Sequence, residues 1–115
     1  MPDTRVFTLE PGTVTSGGGT ANVTESDNES WVIEKIQVEE QGDDTVAGVT
    51  ATFQIAGDSF TDQEVDLGAL QGDYMDLPNM DLDWPSNRQF QADLTNNQTG
   101  DVTPRILLWV TPMQG

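Results

Sequence analysis

Hydrophobic and polar residues alternate with a period of two along most of this chain. The clearest example is the sequence VTATFQI at residues 49–55, in which every second residue is apolar. Such alternation predicts a β-strand with one buried face. Phe53 lies in the middle of this strand, and we expect it to be fully buried with Phe90 and Leu94 as neighbours. No long segment has apolar residues at spacings of three and four, so the sequence predicts no substantial helix.

Further strands are predicted wherever the same alternation recurs between turn residues. They lie around Phe7 and Leu9, from Ala21 to Thr24, from Trp31 to Val38, around Val65 and Leu67, from Phe90 to Leu94 and from Ile106 to Val110. The stretch from Tyr74 to Trp84 suits an edge or corner segment, because proline residues within and after it restrict pairing.

The strand that begins at Trp31 changes the phase of its alternation. Trp31 and Ile33 share one face. Ile36 and Val38 lie on the other. One extra residue near positions 34–35 accounts for this change, so the sequence predicts a β-bulge there.

About eight short strands separated by turns rich in Gly, Pro and Asn predict an all-β fold, an antiparallel β-sandwich of jelly-roll or Greek-key type. An immunoglobulin-like topology without its disulfide is the alternative. The length allows one domain, so residues 1–115 are expected to form a single β-sandwich. A Gly/Thr-rich segment around residues 12–30 is expected to be flexible.

The charge of the chain adds the most to this picture. Twenty Asp and Glu residues against four Lys and Arg residues give a formal net charge of −16. A compact domain with this charge repels itself unless counterions screen the field, and at about 1 M salt the Debye length is only about 3 Å. The composition therefore predicts a halophilic protein. Three Trp, four Phe and the regular alternation favour a folded domain over acidic disorder.

Several classes of function fit this composition poorly. Nucleic acids are bound through Lys and Arg, and the chain has only four of these residues. An acidic mimic of a nucleic acid would place its carboxylates along one ridge, whereas here they are scattered from Asp3 to Asp101. The start, Met1 to Thr4, lacks the features of a signal peptide, and no apolar run is long enough to span a membrane. We therefore expect synthesis in the cytoplasm and no membrane partner.

Candidate chemistry is sparse. The chain has no His and no Cys, and no nucleophile and base form a recognisable pair, so we expect no enzyme activity. Asp81 and Asp83 would point to one side of a strand, and Asp73 and Asp76 lie upstream. Carboxylates of this kind can hold Ca²⁺ or Mg²⁺, and the alternative is a set of solvated side chains. No other cofactor is predicted.

The last predicted strand has apolar residues on both faces. Leu107 and Trp109 lie opposite the even-numbered residues of the apolar run 106–110, so one of the two rows points outwards. Either a loop of the same chain covers this row or the row forms an interface with another subunit. Arg105 precedes it and could pair with a carboxylate of a neighbouring molecule. We therefore predict an interface at Arg105, Leu107 and Trp109.

Two segments near the end of the chain carry a resemblance. They are DLTNN at residues 93–97 and VTPRILLWV at residues 102–110. With the acidic, Lys-poor composition and the sandwich pattern over residues 31–111, they resemble small virion proteins of haloarchaeal viruses. The resemblance implies a non-enzymatic structural protein of the virion, made in the host cytoplasm, that sits on the capsid as a decoration, turret or vertex protein. It also implies a homo-oligomer that contacts other virion proteins such as the major capsid protein.

A carbohydrate- or receptor-binding β-sandwich module is the alternative function. In that case Trp31, Tyr74 or Trp84 would serve as stacking platforms. The two hypotheses predict different behaviour: a virion component has a fixed oligomeric state or a fixed copy number on a particle, whereas a lectin is retained on glycans.

Overall fold

The computed structural model describes residues 5–42, 45–56, 58–59, 65–72, 74–77 and 79–113. Nine strands form in these residues: β1 (Arg5–Leu9), β2 (Gly19–Glu25), β3 (Trp31–Glu40), β4 (Val49–Ile55), β5 (Asp58–Ser59), β6 (Val65–Asp66), β7 (Leu82–Trp84), β8 (Phe90–Asn96) and β9 (Pro104–Pro112). The helical elements of the same residues are two short 3-10 turns, Leu67–Leu70 and Tyr74–Asp76. The prediction of an all-β chain is therefore confirmed. No helix in the described ranges is long and apolar enough to cross a membrane.

The strands form two sheets, and all pairs of neighbouring strands within these sheets are antiparallel. The order is β1-β9-β3-β7 in the first sheet and β2-β8-β4 in the second, where β5 and β6 both pair with β4. Strand β6 pairs with the N-terminal half of β4 and β5 with its C-terminal end, so together they occupy one edge position. Each sheet therefore has four strand positions.

The chain crosses between the sheets after almost every strand. Strand β9 inserts between β1 and β3, and β8 inserts between β2 and β4. This is the strand order of a jelly roll, in which two Greek keys wrap around one core. The predicted sandwich of jelly-roll or Greek-key type is confirmed. The immunoglobulin-like alternative keeps its first two strands in one sheet, whereas β1 and β2 lie in different sheets.

The apolar core lies between the inner faces of the two sheets. Phe53, in the middle of β4, is 1% exposed. Its ring lies 6.0 Å from the ring of Phe90 on the neighbouring strand β8, where Leu94 is also buried. The predicted full burial of Phe53 and its proximity to Phe90 are confirmed, and Leu94 lies opposite Ala51 of the same strand.

The β-bulge predicted in β3 is present. The pairing of β3 with β9 shifts register between Ile33 and Lys35. Trp31 and Ile33 before the shift are buried, and so are Ile36 and Val38 after it. The extra residue therefore keeps both halves of the strand directed at the core, which corrects the expectation that the two pairs lie on opposite faces.

The strand predicted around Val65 and Leu67 is shorter than expected. It ends at Asp66, whose side chain accepts a hydrogen bond of 2.8 Å from the backbone N–H of Gly68. This cap starts a 3-10 turn, so Leu67 is buried as part of the turn rather than as a strand residue. The same carboxylate accepts a hydrogen bond from the N–H of Gly48, just before β4.

The Gly/Thr-rich segment around residues 12–30 contains a turn followed by a strand. Gly17 and Gly18 have φ values of 74° and 96°, which side chains rarely tolerate. The N–H of Gly18 donates to the carbonyl O of Asn96 at 2.7 Å. The turn leads directly into β2, whose seven residues all pair with β8.

Candidate interaction surface

The candidate surface is the outer face of the first sheet, where β9 lies between β1 and β3. Leu107 and Trp109 of β9 are each paired with one residue of β1 and one of β3. Because paired residues point to the same side of a sheet, the six side chains share one face. We call this set the Trp109 face: Val6, Thr8, Lys35, Gln37, Leu107 and Trp109.

The burial pattern along β9 shows which side faces outwards. Ile106, Leu108 and Val110 are 0% exposed, whereas Leu107 and Trp109 are partly exposed. The outward apolar row expected from the sequence is therefore present, and its use as an interface stays a prediction. The four members of the face that come from β1 and β3 carry no sequence signal of their own, because only the sheet order places them beside β9.

Hydrogen bonds hold the Trp109 ring against the sheet. Its Nε1–H donates to Oε1 of Gln37, on the neighbouring strand β3, at 2.9 Å. Gln37 in turn donates from Nε2 to the carbonyl O of Gly72 at 2.6 Å. The polar atom of the indole is therefore satisfied within the chain, and its remaining exposed surface is apolar.

Arg105 borders the Trp109 face and is bound by two carboxylates of its own chain. Its Nε lies 3.2 Å from Oε1 of Glu10, and its Nη1 lies 2.9 Å from Oε1 of Glu39. The hydrogen bond with Glu39 is the main cause that raises the pKa of Arg105 above its usual value. The observed partners of Arg105 are thus intramolecular, whereas the sequence had suggested a carboxylate of a neighbouring molecule.

The Trp109 face differs in charge from the chain as a whole. None of its six residues is acidic, although acidic residues outnumber basic ones by twenty to four in the sequence, and its one basic residue, Lys35, is only 8% exposed. Carboxylates lie at its border. Glu10 and Glu39 are at one end, and at the other end Oε1 of Glu34 accepts a hydrogen bond of 3.0 Å from Oγ1 of Thr111. The face therefore combines three apolar residues with Thr8, Gln37 and the buried Lys35, and carboxylates lie at its border.

The outer face of the second sheet is polar instead. The register of β2, β8 and β4 brings together these outward residues: Thr20, Asn22, Thr24, Gln91, Asp93, Thr95, Thr50, Thr52 and Gln54. A shallow depression on this side is lined by residues of β2 and β8. Hydroxyl, amide and carboxylate groups interact well with water, so the Trp109 face is the apolar one of the two outer faces.

The acidic residues predicted as metal ligands are exposed. Asp83 lies in β7, but Asp81 precedes that strand with a left-handed φ of 50°, so the two do not follow the alternation of one strand. Asp76 is exposed in the second 3-10 turn, and Asp73 lies outside the described residues. Within the described ranges, no group of three or more His, Cys, Asp or Glu residues is placed to hold a metal ion.

The two tryptophans proposed as stacking platforms belong to the core. Trp31 on β3 pairs with Trp84 on β7, and the two residues are 2% and 1% exposed, respectively. Their indole N–H groups donate to Oδ2 of Asp27 at 2.9 Å and to the carbonyl O of Arg88 at 2.8 Å, respectively. The expectation that these rings bind a ligand is therefore wrong. The side chain of Tyr74 lies outside the described part of the structure.

Arg5 and Asp27, which the sequence did not bring together, both contact the side chain of Trp31. The Arg5 guanidinium carbon lies 5.1 Å from the ring centroid of Trp31 and 5.4 Å from that of Phe7, within cation–π range. The pKa of Asp27 is lowered below its usual value, chiefly by the hydrogen bond from the Trp31 indole and next by the hydrogen bond from the N–H of Glu29. The positive charge of Arg5 also lowers it. No local pattern places Arg5 beside Asp27, because they meet only through the sheet order.

The fold and this surface define an acidic jelly-roll domain with one apolar outer face. Jelly rolls as a class include viral capsid, lectin and cupin domains. No protein-family model, curated protein or solved structure matches the chain.

Proposed function

We propose that the protein is a non-enzymatic structural component of the virion of a halophilic archaeal virus. In this role it sits on the capsid as a decoration, turret or vertex protein, assembles as an oligomer and contacts other virion proteins such as the major capsid protein. One observation carries the proposal: in the described residues, a jelly-roll sandwich of net charge −16 has an outer face, the Trp109 face, that contains Val6, Leu107 and Trp109 and no carboxylate.

The fold and the position of the aromatic residues support a structural role. Capsid domains are among the main users of the jelly roll, and lectins use it as well. A sugar site needs exposed rings or a cleft with convergent polar groups, whereas Trp31 and Trp84 are buried in the core. The Trp109 face is an outer sheet face rather than a cleft, which suits a protein partner.

The charge supports an environment of high salt. A virion released into brine exposes its surface proteins to molar ion concentrations, where carboxylates repel one another little and keep the surface hydrated. The polar outer face of the second sheet, with its Thr, Asn, Gln and Asp side chains, is suited to contact with that solvent.

Quantitative mass spectrometry of particles purified on a density gradient tests the proposal. The particles come from a culture that expresses this gene, and the chain is expected at a fixed ratio to the major capsid protein in every preparation. Detection of the chain only in the soluble cell fraction would contradict the proposal. Retention of the purified chain on immobilised glycans, with release by free sugar, would favour the carbohydrate-binding alternative.

A further inference from the structure

We infer that the second sheet is a site of N-linked glycosylation, with Asn22 and Asn97 as the acceptor residues. The sequence has three Asn-X-Ser/Thr motifs, which begin at Asn22, Asn28 and Asn97. In such a motif the Asn side chain accepts a sugar, and the hydroxyl two residues later is part of the signal. Six Asn residues in a chain of this composition give about one motif by chance, so three are an excess. The inference goes beyond the proposed function and does not require it.

Asn22 is accessible in the folded chain. It lies at the centre of β2, an edge strand of the second sheet, and both Asn22 and Thr24 are exposed on the outer face. Because residues two apart in a strand share one face, the amide and the hydroxyl of this motif point to the same side. The Asn22 side chain forms no hydrogen bond with the described residues, so attachment of a sugar breaks no contact there.

Asn97 is accessible at the end of the neighbouring strand. It directly follows β8 and is exposed, as is Thr99, which carries the hydroxyl of this motif. The backbone N–H of Asn97 donates to the carbonyl O of Gly48 at 3.0 Å, which fixes the turn. Its side chain has no hydrogen-bond partner in the described part of the chain, so a transferase can reach the amide without opening the sheet.

The third motif differs in its hydroxyl group. Asn28 is exposed, but Ser30 is half-buried and its Oγ accepts a hydrogen bond of 3.0 Å from the backbone N–H of Ser86. The hydroxyls of the other two motifs form no hydrogen bond among the described residues. We therefore expect the folded chain to be modified at the other two motifs in preference to this one.

The two acceptors leave room for two sugars. Asn22 is paired with Asp93, which is four residues before Asn97, so the acceptors are about 14 Å apart along the strands. A shallow depression beside Asn22 is lined by residues of β2 and β8 that include Thr20 and Thr95, whose hydroxyls can hydrogen-bond to a sugar. Both acceptors belong to the second sheet, so the attached sugars leave the Trp109 face of the first sheet uncovered.

The transfer forms one bond and breaks one. The Asn amide nitrogen bonds to the anomeric carbon of the sugar and gives one proton to a base of the transferase. The bond between that carbon and the phosphate of an activated donor breaks, and the phosphate leaves with its carrier. The carrier is a nucleotide for transfer in the cytoplasm or a lipid for transfer at a membrane, and the acceptor residues are the same for both.

Mass spectrometry of the chain, purified from a culture that expresses this gene, tests the inference. The intact mass should exceed that of the sequence by whole sugar residues, and peptide analysis should place them on Asn22 and Asn97. Asn22→Gln and Asn97→Gln should each remove the sugar of that residue. Thr24→Val and Thr24→Ser are a matched pair at an exposed position: the first should abolish modification of Asn22, and the second should retain it.

The outcomes separate the inference from the proposed function. Single sugars indicate a nucleotide donor, and the same preassembled oligosaccharide at both sites indicates a lipid donor; both results support the inference. A chain without sugar overturns it, and so does modification of Asn22 that persists in Thr24→Val or modification confined to Asn28. A chain present in particles without sugar overturns the inference and leaves the proposed function standing. A glycosylated chain that is absent from particles supports the inference and contradicts the proposed function.

Discussion

Phe7 and Trp84 lie edge to face with their ring centroids 5.2 Å apart, although they belong to β1 and β7, the two edge strands of the first sheet. The Phe7 ring is also 5.7 Å from that of Trp31, and the Trp84 ring is 6.2 Å from that of Phe90 in the second sheet. These contacts form a row of rings that joins both edges of one sheet to the other sheet. Phe7 therefore links elements that are far apart in the chain.

Replacement of Phe7 by Leu should destabilise the protein. The substitution keeps most of the apolar volume but removes both edge-to-face contacts, and we expect a loss of about 1–3 kcal/mol in the free energy of unfolding. Urea titration in molar salt measures this value. Met75→Leu is the control, since Met75 is 83% exposed and its replacement should change stability by less than about 0.5 kcal/mol. Equal losses in the two variants would contradict the role of the rings.

Asn96 connects the turn after β8 to the segment before β2. Its side chain is fully buried, and its Nδ2 donates to the carbonyl O atoms of Val14 and Gly100 at 2.9 and 3.0 Å. Its Oδ1 accepts the N–H of Gln98 at 2.8 Å. An amide is required here because the site presents two acceptors and one donor.

Asn96→Asp should therefore destabilise the fold more than Asn96→Ala. Alanine loses the hydrogen bonds, at about 1–3 kcal/mol, whereas aspartate also places a buried charge against two carbonyl groups. Asn97→Asp adds the same charge at the exposed neighbouring residue and should have little effect. Urea titration of the three variants in molar salt checks this order. If Asn96→Asp loses no more stability than Asn96→Ala, the Asn96 amide does not donate to these carbonyl groups.

The strands could be predicted because alternation is a local property of the sequence. The segment 49–55 shows period two without interruption, and it forms β4 with the same bounds. The bulge in β3 could also be predicted, since it shifts the phase of the apolar residues around Ile33 and Ile36. The outward row of Leu107 and Trp109 was visible for the same reason.

Features that depend on sheet order could not be predicted. Val6 and Lys35 join the Trp109 face only because β9 inserts between β1 and β3, and no local pattern encodes that insertion. The alternative function used Trp31 as a stacking platform because alternation along its strand does not show whether that face lies in the core or meets a ligand. Leu67 was assigned to a strand because a cap formed by the Asp66 side chain is not visible in the hydrophobic pattern.

The charged form of Asp27 should stabilise the fold. Its pKa in the folded state is lowered below the ordinary value of 3.8, chiefly by the hydrogen bond from the Trp31 indole. The contribution to stability is therefore fully present above pH 3.8 and is lost as the pH falls through the folded-state pKa. Asp27→Asn removes this contribution, so the difference in stability between the wild type and Asp27→Asn should shrink below pH 3.8.

Urea titrations of both proteins at a series of pH values, in molar salt, measure that difference. The comparison cancels the effect of neutralising the other carboxylates, which both proteins share. A difference that stays constant as the pH falls would mean that the fold does not favour the charged form of Asp27.

Folding should require high salt. Arg105 pairs with Glu10 and Glu39, but four cations can neutralise only a minority of the twenty acidic residues, so most of the charge must be screened by ions. A domain of this size has only about 5–15 kcal/mol of stability to set against that repulsion. We therefore expect the tertiary structure to be lost when the chain is dialysed from about 3 M to about 20 mM NaCl.

Near-ultraviolet circular dichroism follows this loss, because the buried rings of Trp31 and Trp84 report on packing in the core. The matched variant replaces three exposed residues, Asp76, Asp81 and Asp83, by Asn and changes the net charge from −16 to −13. If repulsion is the cause, this variant should keep its spectrum at lower salt than the wild type, because less charge needs to be screened. A wild-type spectrum that does not change at about 20 mM salt would mean that screening is not required, and the halophilic interpretation would then be wrong.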